Sequence, residues 1–190
     1  MAEIALFHHA LGLTEGLQEF AERLRAAGHT VHAPDMFDGR VFGSIEEGVE
    51  YADGLGWRHF LAATSDFVAT LPEGLVYAGF SLGGTSAQNL AHSRTGARGA
   101  LIYYGAASPS WFSRPWPDGV PAQIHVAEQD PWAELAESKE AADAYGAELF
   151  VYPEVGHLFA ESGWKEYGDA AAQLLLERTL AFLESVDRAA

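Results

Sequence analysis

A buried strand that runs directly into a Gly-x-Ser-x-Gly turn is the feature that most restricts the fold of this sequence. The apolar run Leu75–Phe80 leads to Ser81, with Gly79 and Gly83 two residues away on either side, and a helix is expected from Leu82 onward. So tight a strand-to-helix turn leaves no room for a Cβ atom at the two glycine positions. It also holds the serine in a strained conformation that directs its hydroxyl outward at the end of a sheet.

Short apolar runs alternate with longer amphipathic segments along the whole chain. Alternation of strand and helix at this spacing is typical of a mostly parallel sheet with helices on both faces, a three-layer α/β sandwich. The predicted strands are Ile4–Phe7, Thr30–Ala33, Leu75–Phe80, Ala100–Tyr104, Gln123–Ala127 and Glu148–Tyr152. The predicted helices are Thr14–Ala27, parts of Ser44–Leu71 with breaks at Gly54 and Gly56, Leu82–His92, Ala133–Tyr145 and Trp164–Val186.

The 190 residues predict a single domain over positions 1–190. Segment 105–121 holds four of the eight prolines and is predicted to be a structured loop, too short for a large cap domain. The sequence contains no cysteine, which excludes disulfides and thiolate chemistry. Its start lacks the basic residues and cleavage site of a signal peptide, and no apolar run could span a bilayer. We therefore expect a cytoplasmic protein.

The charge balance argues against several classes of partner. Eleven basic and 27 acidic residues give a net charge of −16, which repels nucleic-acid phosphates and anionic lipid headgroups. We therefore expect a small-molecule substrate, no nucleic acid and no membrane, in a monomer or homodimer. His8 and His9 point to opposite faces of a strand and make a poor metal pair, so no metal is expected.

A serine nucleophile needs a general base, since its hydroxyl is almost never ionised at neutral pH. Three histidines follow Ser81 in the sequence. His92 lies three turns along the following helix, and His125 lies inside a predicted strand. His157 follows the sixth strand in a Gly-containing turn and is the one placed to reach back. A histidine on a surface loop is the alternative interpretation of His157.

The acid that orients such a histidine is expected after the fifth predicted strand. Glu128 and Asp130 both occur there, and Asp130 is the better placed, although it could instead cap the following helix. Two further interpretations of the isolated motif stay open: a glycine-rich turn with an incidental serine, and a phosphate-binding turn at a helix N-terminus. Asp35 follows Pro34 at a strand end and is interpreted as a turn residue.

Several motifs, taken in order, resemble the dienelactone hydrolase family of α/β hydrolases over essentially the whole chain. Ser81 and Asp130 are 49 residues apart, and Asp130 and His157 are 27 apart, both similar to that family. The motifs that carry the resemblance are His8–Leu13, Ala33–Arg40, Gly79–Gly84, Gln129–Asp130 and Gly156–His157.

The resemblance implies an α/β-hydrolase fold of minimal size and assigns roles to individual positions. It makes Ser81 the nucleophile, Asp130 the acid and His157 the base, and it places the oxyanion hole on the backbone N–H groups of Ala10 and Leu82. The implied activity is cleavage of a small carboxylic ester or lactone through an acyl-enzyme, without a cofactor. A thioesterase or peptidase on the same triad, or a non-catalytic ligand-binding protein, are the alternatives.

Three positions depart from the family pattern. Ser81 replaces the typical cysteine nucleophile, His9 replaces the family's glutamate, and Glu161 replaces an arginine that holds a substrate carboxylate. Dienelactone itself is therefore a poor substrate candidate for so acidic a chain. Residues expected to line an apolar substrate pocket, if they do not merely cover the sheet edge, are His9, Trp111, Phe112, Trp116, Trp132 and Phe159.

Overall fold

Six parallel strands form one sheet in the computed structural model, which describes residues 1–189. The strands are β1 (Glu3–Phe7), β2 (Thr30–His32), β3 (Val76–Phe80), β4 (Gly99–Tyr103), β5 (Ala122–Ala127) and β6 (Glu148–Tyr152). Their order across the sheet is β2-β1-β3-β4-β5-β6, and every neighbouring pair is parallel. The predicted sheet is confirmed, and it is parallel throughout.

Helices cover both faces of the sheet and confirm the three-layer α/β-hydrolase-like architecture. They are α1 (Glu15–Ala26), α2 (Ile45–Leu55), α3 (Trp57–Ala69), α4 (Leu82–Ser93), α5 (Leu135–Tyr145) and α6 (Asp169–Arg188). Apolar residues of α1 and α6 pack on one face, and those of α3, α4 and α5 pack on the other. Within residues 1–189 the connection after β4 holds only a short 3-10 turn, Pro109–Trp111, and no cap domain.

Strand periodicity produces these two cores. In β1, Ile4 and Leu6 join the core under α1 and α6, whereas Ala5 and Phe7 join the core on the opposite face. Successive side chains of a strand point to opposite faces, so a strand buried on both faces appears in the sequence as a continuous apolar run. This is why short apolar runs could be assigned as strands.

Three helix boundaries differ from those predicted, one at a break between helices and two at helix starts. The break in the Ser44–Leu71 region lies at Gly56, with φ 86°, and Gly54 continues α2. The last helix begins at Asp169, five residues later than expected, because the N–H of Gly168 folds back onto the carbonyl of Phe159 at 2.9 Å. The fifth helix begins at Leu135, two residues late, because the preceding residues form a turn on Asp130.

Two fully buried histidines hold the sheet through hydrogen bonds of the neutral ring. His8 donates from Nδ1 to the carbonyl of His9 at 2.7 Å and accepts at Nε2 from the N–H of Met36 at 3.0 Å. His125 lies against Tyr152 Oη at 2.8 Å and Gln123 Oε1 at 3.2 Å. Each ring uses one nitrogen as an acceptor, so protonation would break a native hydrogen bond.

Stability is expected to fall in mild acid because of these rings. Burial lowers the pKa of His8 to about 4 and that of His125 to about 3. In the unfolded chain the histidine pKa is about 6.5, so below that pH the unfolded chain binds more protons than the folded one. At pH 5 each of the two rings therefore lowers the free energy of unfolding by about 2 kcal/mol. The stabilisation is complete above pH 6.5 and is lost as pH falls toward 4.

Urea unfolding at pH 7.5 and at pH 5 measures this loss. In His125→Asn the difference between the two pH values is expected to shrink by about 2 kcal/mol, whatever the variant's stability at neutral pH. His59→Gln, at an exposed position, is the control and leaves the difference unchanged. An equal pH dependence in wild type and His125→Asn would show that His125 titrates normally.

Candidate active site

Ser81 lies in the sharp turn between β3 and α4. Its backbone has φ 52° and ψ −112°, a conformation rarely adopted by residues other than glycine. A Cβ atom on Gly79 would collide with the backbone of Gly83, and one on Gly83 would lie 2.7 Å from the carbonyl oxygen of His8. Both glycines are therefore required by the packing of the turn.

A continuous chain of hydrogen bonds joins three side chains at this turn. Ser81 Oγ lies 2.8 Å from His157 Nε2, and His157 Nδ1 lies 2.7 Å from Asp130 Oδ2. Because a carboxylate only accepts, His157 carries its proton on Nδ1, and Nε2 is left to accept the hydroxyl proton of Ser81. The side chains of His157 and Asp130 are 2% and 0% exposed, so little water competes for these bonds.

The parallel sheet explains why residues so distant in sequence meet here. Ser81 follows β3, Asp130 follows β5 and His157 follows β6, and the carboxyl ends of parallel strands share one edge of the sheet. The backbone N–H of Trp132 donates to Asp130 Oδ1 at 2.9 Å and fixes the carboxylate in its turn. Glu128, the other candidate, has an exposed side chain. The structure thus brings together the three side chains that the sequence singled out.

Tyr104 borders the same site and was missed by the sequence analysis. It follows β4 with φ 67°, and its ring centroid lies 5.4 Å from that of His157. Its hydroxyl accepts the N–H of Ala160 at 3.2 Å, which ties the loop after His157 to the sheet. Burial raises the pKa of Tyr104 well above its usual value, so the phenol stays neutral. The sequence feature that could have identified Tyr104 is its position directly after a buried strand.

Two backbone N–H groups, one directly after Ser81 and one in the loop after β1, donate no hydrogen bond to any group of residues 1–189. They belong to Leu82, the first residue of α4, and to Ala10, in the loop after β1. Gly83 lets the start of α4 approach the end of β1, which brings these two segments together. Gly48 of α2 packs on the other side of the loop, where a Cβ would collide with the Ala10 carbonyl. Both N–H groups are free to bind a negatively charged oxygen.

Comparison with known proteins decides the family. The sequence matches the profile of the dienelactone hydrolase family over residues 2–186. The chain belongs to the dienelactone hydrolase family. Comparison with curated proteins gives no match.

Solved structures share the α/β-hydrolase fold with this family member. A dienelactone hydrolase-like promiscuous phosphotriesterase from metagenomic libraries is 19% identical, with coverage of 98% of this chain and 87% of that one and a TM-score of 0.74. Thermogutta terrifontis esterase 2, phosphonylated by cyclosarin, is 15% identical, with coverage of 97% and 83% and a TM-score of 0.71. At these identities the likeness concerns the fold.

His9 and Glu161, two of the positions expected to differ from the family pattern, contact each other. His9 Nε2 lies 3.0 Å from Glu161 Oε2, and both side chains are buried. The N–H of Leu11 donates to His9 Nδ1 at 3.3 Å, so the ring carries its proton on Nε2 and donates it to the carboxylate. Gly16 makes room for Glu161, because a Cβ there would lie 2.6 Å from Oε1. The pair joins the loop of Ala10 to the segment that follows His157.

A cleft of about 210 Å³ opens beside Ser81. Trp111 and Trp132 border it, as the sequence analysis predicts, and their side chains remain 63% and 41% exposed. Two acidic residues, Glu134 and Glu137, also border it and were not anticipated. The sequence feature that could have identified them is their position at the start of the helix that follows the Asp130 loop.

Four other residues predicted to line the pocket lie elsewhere. His9 is 1% exposed and engaged with Glu161. Trp116 stacks on Tyr145 with centroids 4.1 Å apart and donates from Nε1 to the carbonyl of Val120, so it covers α5 instead. These expectations are wrong because an aromatic residue near a strand end can equally pack inward.

Phe159 and Phe112 also pack inward. Phe159 is fully buried between Tyr104 and Tyr152, with centroids at 5.4 and 4.6 Å. Phe112 stacks on His92 at 4.5 Å. Asp35, interpreted as a turn residue, accepts the N–H of Phe37 at 2.9 Å and that of Gly39.

Residues 1–189 contain neither a cluster of metal-binding side chains nor a helix suited to spanning a membrane. No group of three or more His, Cys, Asp or Glu side chains is arranged to hold a metal ion there. No helix of that part of the chain is long and apolar enough to cross a membrane.

Proposed function

We propose that this family member is a serine hydrolase that cleaves small carboxylic esters or lactones through an acyl-enzyme on Ser81. The observation that carries the proposal is the unbroken hydrogen-bond chain from Ser81 Oγ through His157 to Asp130. A serine needs an adjacent base to attack, and the base needs an orienting partner, and both contacts are present at normal lengths.

The geometry supports the following sequence of steps. His157 Nε2 takes the hydroxyl proton of Ser81, and Oγ attacks the acyl carbon of the ester. The negative charge that develops on the carbonyl oxygen is stabilised by the N–H groups of Ala10 and Leu82, at about 3 kcal/mol each. His157 then donates the proton to the departing alcohol, and the acyl group remains on Ser81.

Water completes the cycle by the same route. His157 removes a proton from a water molecule, which attacks the acyl carbon, and the acid product leaves as Ser81 regains its proton. Asp130 holds the ring in the tautomer that exposes Nε2 and stabilises its charged form in both halves of the reaction. The chain's own residues supply every group in this scheme.

Hydrolysis assays with a matched series of acetyl compounds test the proposal. We expect p-nitrophenyl acetate to be cleaved with a burst of p-nitrophenol, because so activated an ester acylates Ser81 faster than water hydrolyses the acyl-enzyme. An acetyl thioester and an acetyl p-nitroanilide, compared on kcat/KM, separate the esterase from the thioesterase and peptidase alternatives. Ligand binding without turnover of any acetyl compound would favour a non-catalytic binding protein.

The His9–Glu161 pair is expected to position the Ala10 loop. Glu161→Ala leaves the Nε2–H of His9 buried without a partner and loosens the link to the His157 loop, so kcat is expected to fall about tenfold with KM little changed. Glu161→Gln keeps an oxygen that can accept from His9 and should restore most of the activity. A parallel fall in both variants, or an effect on KM alone, would contradict a positioning role.

A further inference from the structure

We infer that the cleft beside Ser81 selects esters that carry a positive charge close to the scissile carbonyl and rejects those that carry a carboxylate. The inference deepens the proposed function and rests on it. It commits to one chemical class of substrate, short esters of cationic amino alcohols.

Two indole side chains are the first observation. Trp111 is 63% exposed and Trp132 is 41% exposed, and both border the cleft that holds Ser81. Single exposed aromatic residues are common, but two that border the same cleft form an apolar patch of the kind that marks ligand sites. The ring of Trp111 makes an edge-to-face contact with that of Trp57, with centroids 6.4 Å apart at 88°. The face of an indole attracts cations more strongly than any other side-chain ring.

The charges around the cleft are the second observation. Glu134 and Glu137 both border it, and neither carboxylate accepts a hydrogen bond or forms an ion pair with any group of residues 1–189. Both lie at the start of α5, where the helix dipole favours acidic residues. The dipole accounts for their place in the helix, but not for the two exposed indoles that border the same cleft.

No positively charged side chain of residues 1–189 lines the cleft. Within the described residues 1–189 the groups that border it include no lysine, arginine or histidine. The candidate position for a substrate-binding cation, Glu161, is itself acidic and is buried against His9. A carboxylate substrate would meet two unpaired carboxylates on a chain of net charge −16, whereas a cation would meet two carboxylates and two indole faces.

The size of the cleft limits the length of the charged arm that a substrate can carry. A cleft of about 210 Å³ that contains Ser81 as well as both tryptophans accommodates a small acyl group and a short charged arm. The cation is therefore expected two or three bonds from the ester oxygen. Longer arms would leave the tryptophan faces.

Three acetyl esters of nearly equal size test the selectivity. Acetylcholine carries a quaternary nitrogen, 3,3-dimethylbutyl acetate replaces that nitrogen by carbon, and 4-acetoxybutanoate carries a carboxylate. We expect kcat/KM to be at least tenfold higher for acetylcholine than for the neutral ester at low ionic strength, and lower for the anion than for either. The preference should shrink with added salt, because these carboxylates are partly exposed.

Matched variants assign the effect to the cleft. Glu137→Gln and Trp132→Leu should reduce the ratio of acetylcholine to neutral-ester kcat/KM severalfold. Asp143→Asn removes the same charge from an exposed position of α5 that does not border the cleft, and should leave the ratio unchanged. An unchanged ratio in Glu137→Gln, or equal loss in Asp143→Asn, would overturn the assignment.

The outcomes separate this inference from the proposed function. Hydrolysis of 3,3-dimethylbutyl acetate and acetylcholine at equal kcat/KM would leave the esterase intact and overturn the selectivity. If no ester is cleaved, binding of choline is measured through tryptophan fluorescence, with 3,3-dimethylbutanol as the neutral comparison. Saturable quenching by choline alone would support the cation site without the esterase, and no difference between the two alcohols would overturn it.

Discussion

Asp130→Asn is expected to lower kcat for ester hydrolysis by about 10⁴ while leaving the fold and KM nearly unchanged. The carboxylate of aspartate and the amide of asparagine are nearly identical in shape. The loss of activity therefore comes from the direction of the hydrogen bond to His157. In the native site Asp130 Oδ2 accepts the Nδ1–H of His157 at 2.7 Å. The unprotonated nitrogen, Nε2, is then the one that accepts from Ser81.

The backbone decides how the asparagine would be oriented. The N–H of Trp132 donates to Oδ1 of residue 130 at 2.9 Å, so the amide oxygen of asparagine is held there and the amide nitrogen faces His157. That nitrogen can only donate, so it would force the proton of His157 onto Nε2. The ring would then be unable to take the proton of Ser81.

Glu128→Gln provides the matched control, since Glu128 is the other carboxylate at the end of β5 and is exposed. It should retain wild-type kcat and KM. The measurement is steady-state hydrolysis of p-nitrophenyl acetate, with circular dichroism to show that each variant is folded. A loss of less than about tenfold in Asp130→Asn would mean that tautomer control by Asp130 is not needed.

Gly83→Ala is expected to have the largest effect on stability. The added Cβ would lie 2.6 Å from the carbonyl carbon of Phe7 and 2.7 Å from the carbonyl oxygen of His8. These are backbone atoms of a central strand and the residue that follows it, which cannot turn aside as a flexible side chain would. α4 must move away from β1, at a cost of more than about 3 kcal/mol. The same shift would separate the Leu82 and Ala10 N–H groups, so any folded fraction should be inactive.

Gly54→Ala is the control for Gly83→Ala, because it makes the same substitution in a helix where the added Cβ meets no neighbour. Gly54 also lies in a helix, but no heavy atom lies within 4 Å of its added Cβ. The substitution is expected to be neutral or to stabilise the protein by about 0.5–1 kcal/mol, because it restricts the unfolded chain. Urea denaturation of both variants measures the contrast. Equal effects at the two glycines would refute the steric account of Gly83.

The sequence could predict much of the site because its key residues follow strands of a parallel sheet. Ser81, Asp130 and His157 each follow a strand that periodicity identifies, and the carboxyl ends of such strands share one edge. The fold then places them together whatever the length of the intervening segments. Their order along the chain, more than any single motif, made the prediction possible.

Contacts between loops could not be predicted in this way. His9 and Glu161 are 152 residues apart, and neither periodicity nor motif spacing indicates that they meet. The aromatic residues show the same limit, since Trp111 borders the cleft while Trp116, five positions later, packs on Tyr145. Which way a loop side chain turns depends on packing that one sequence does not reveal.

The proposed reaction requires Ser81 to be an activated nucleophile, and covalent labelling detects such a residue. Intact-protein mass spectrometry is carried out after reaction with a fluorophosphonate probe on wild type, Ser81→Ala and His157→Ala. We predict one covalent adduct on the wild type, none on Ser81→Ala, and labelling of His157→Ala slowed by at least about 10³-fold. A folded wild-type protein that acquires no adduct, or a Ser81→Ala variant that is labelled at the wild-type rate, would contradict the account.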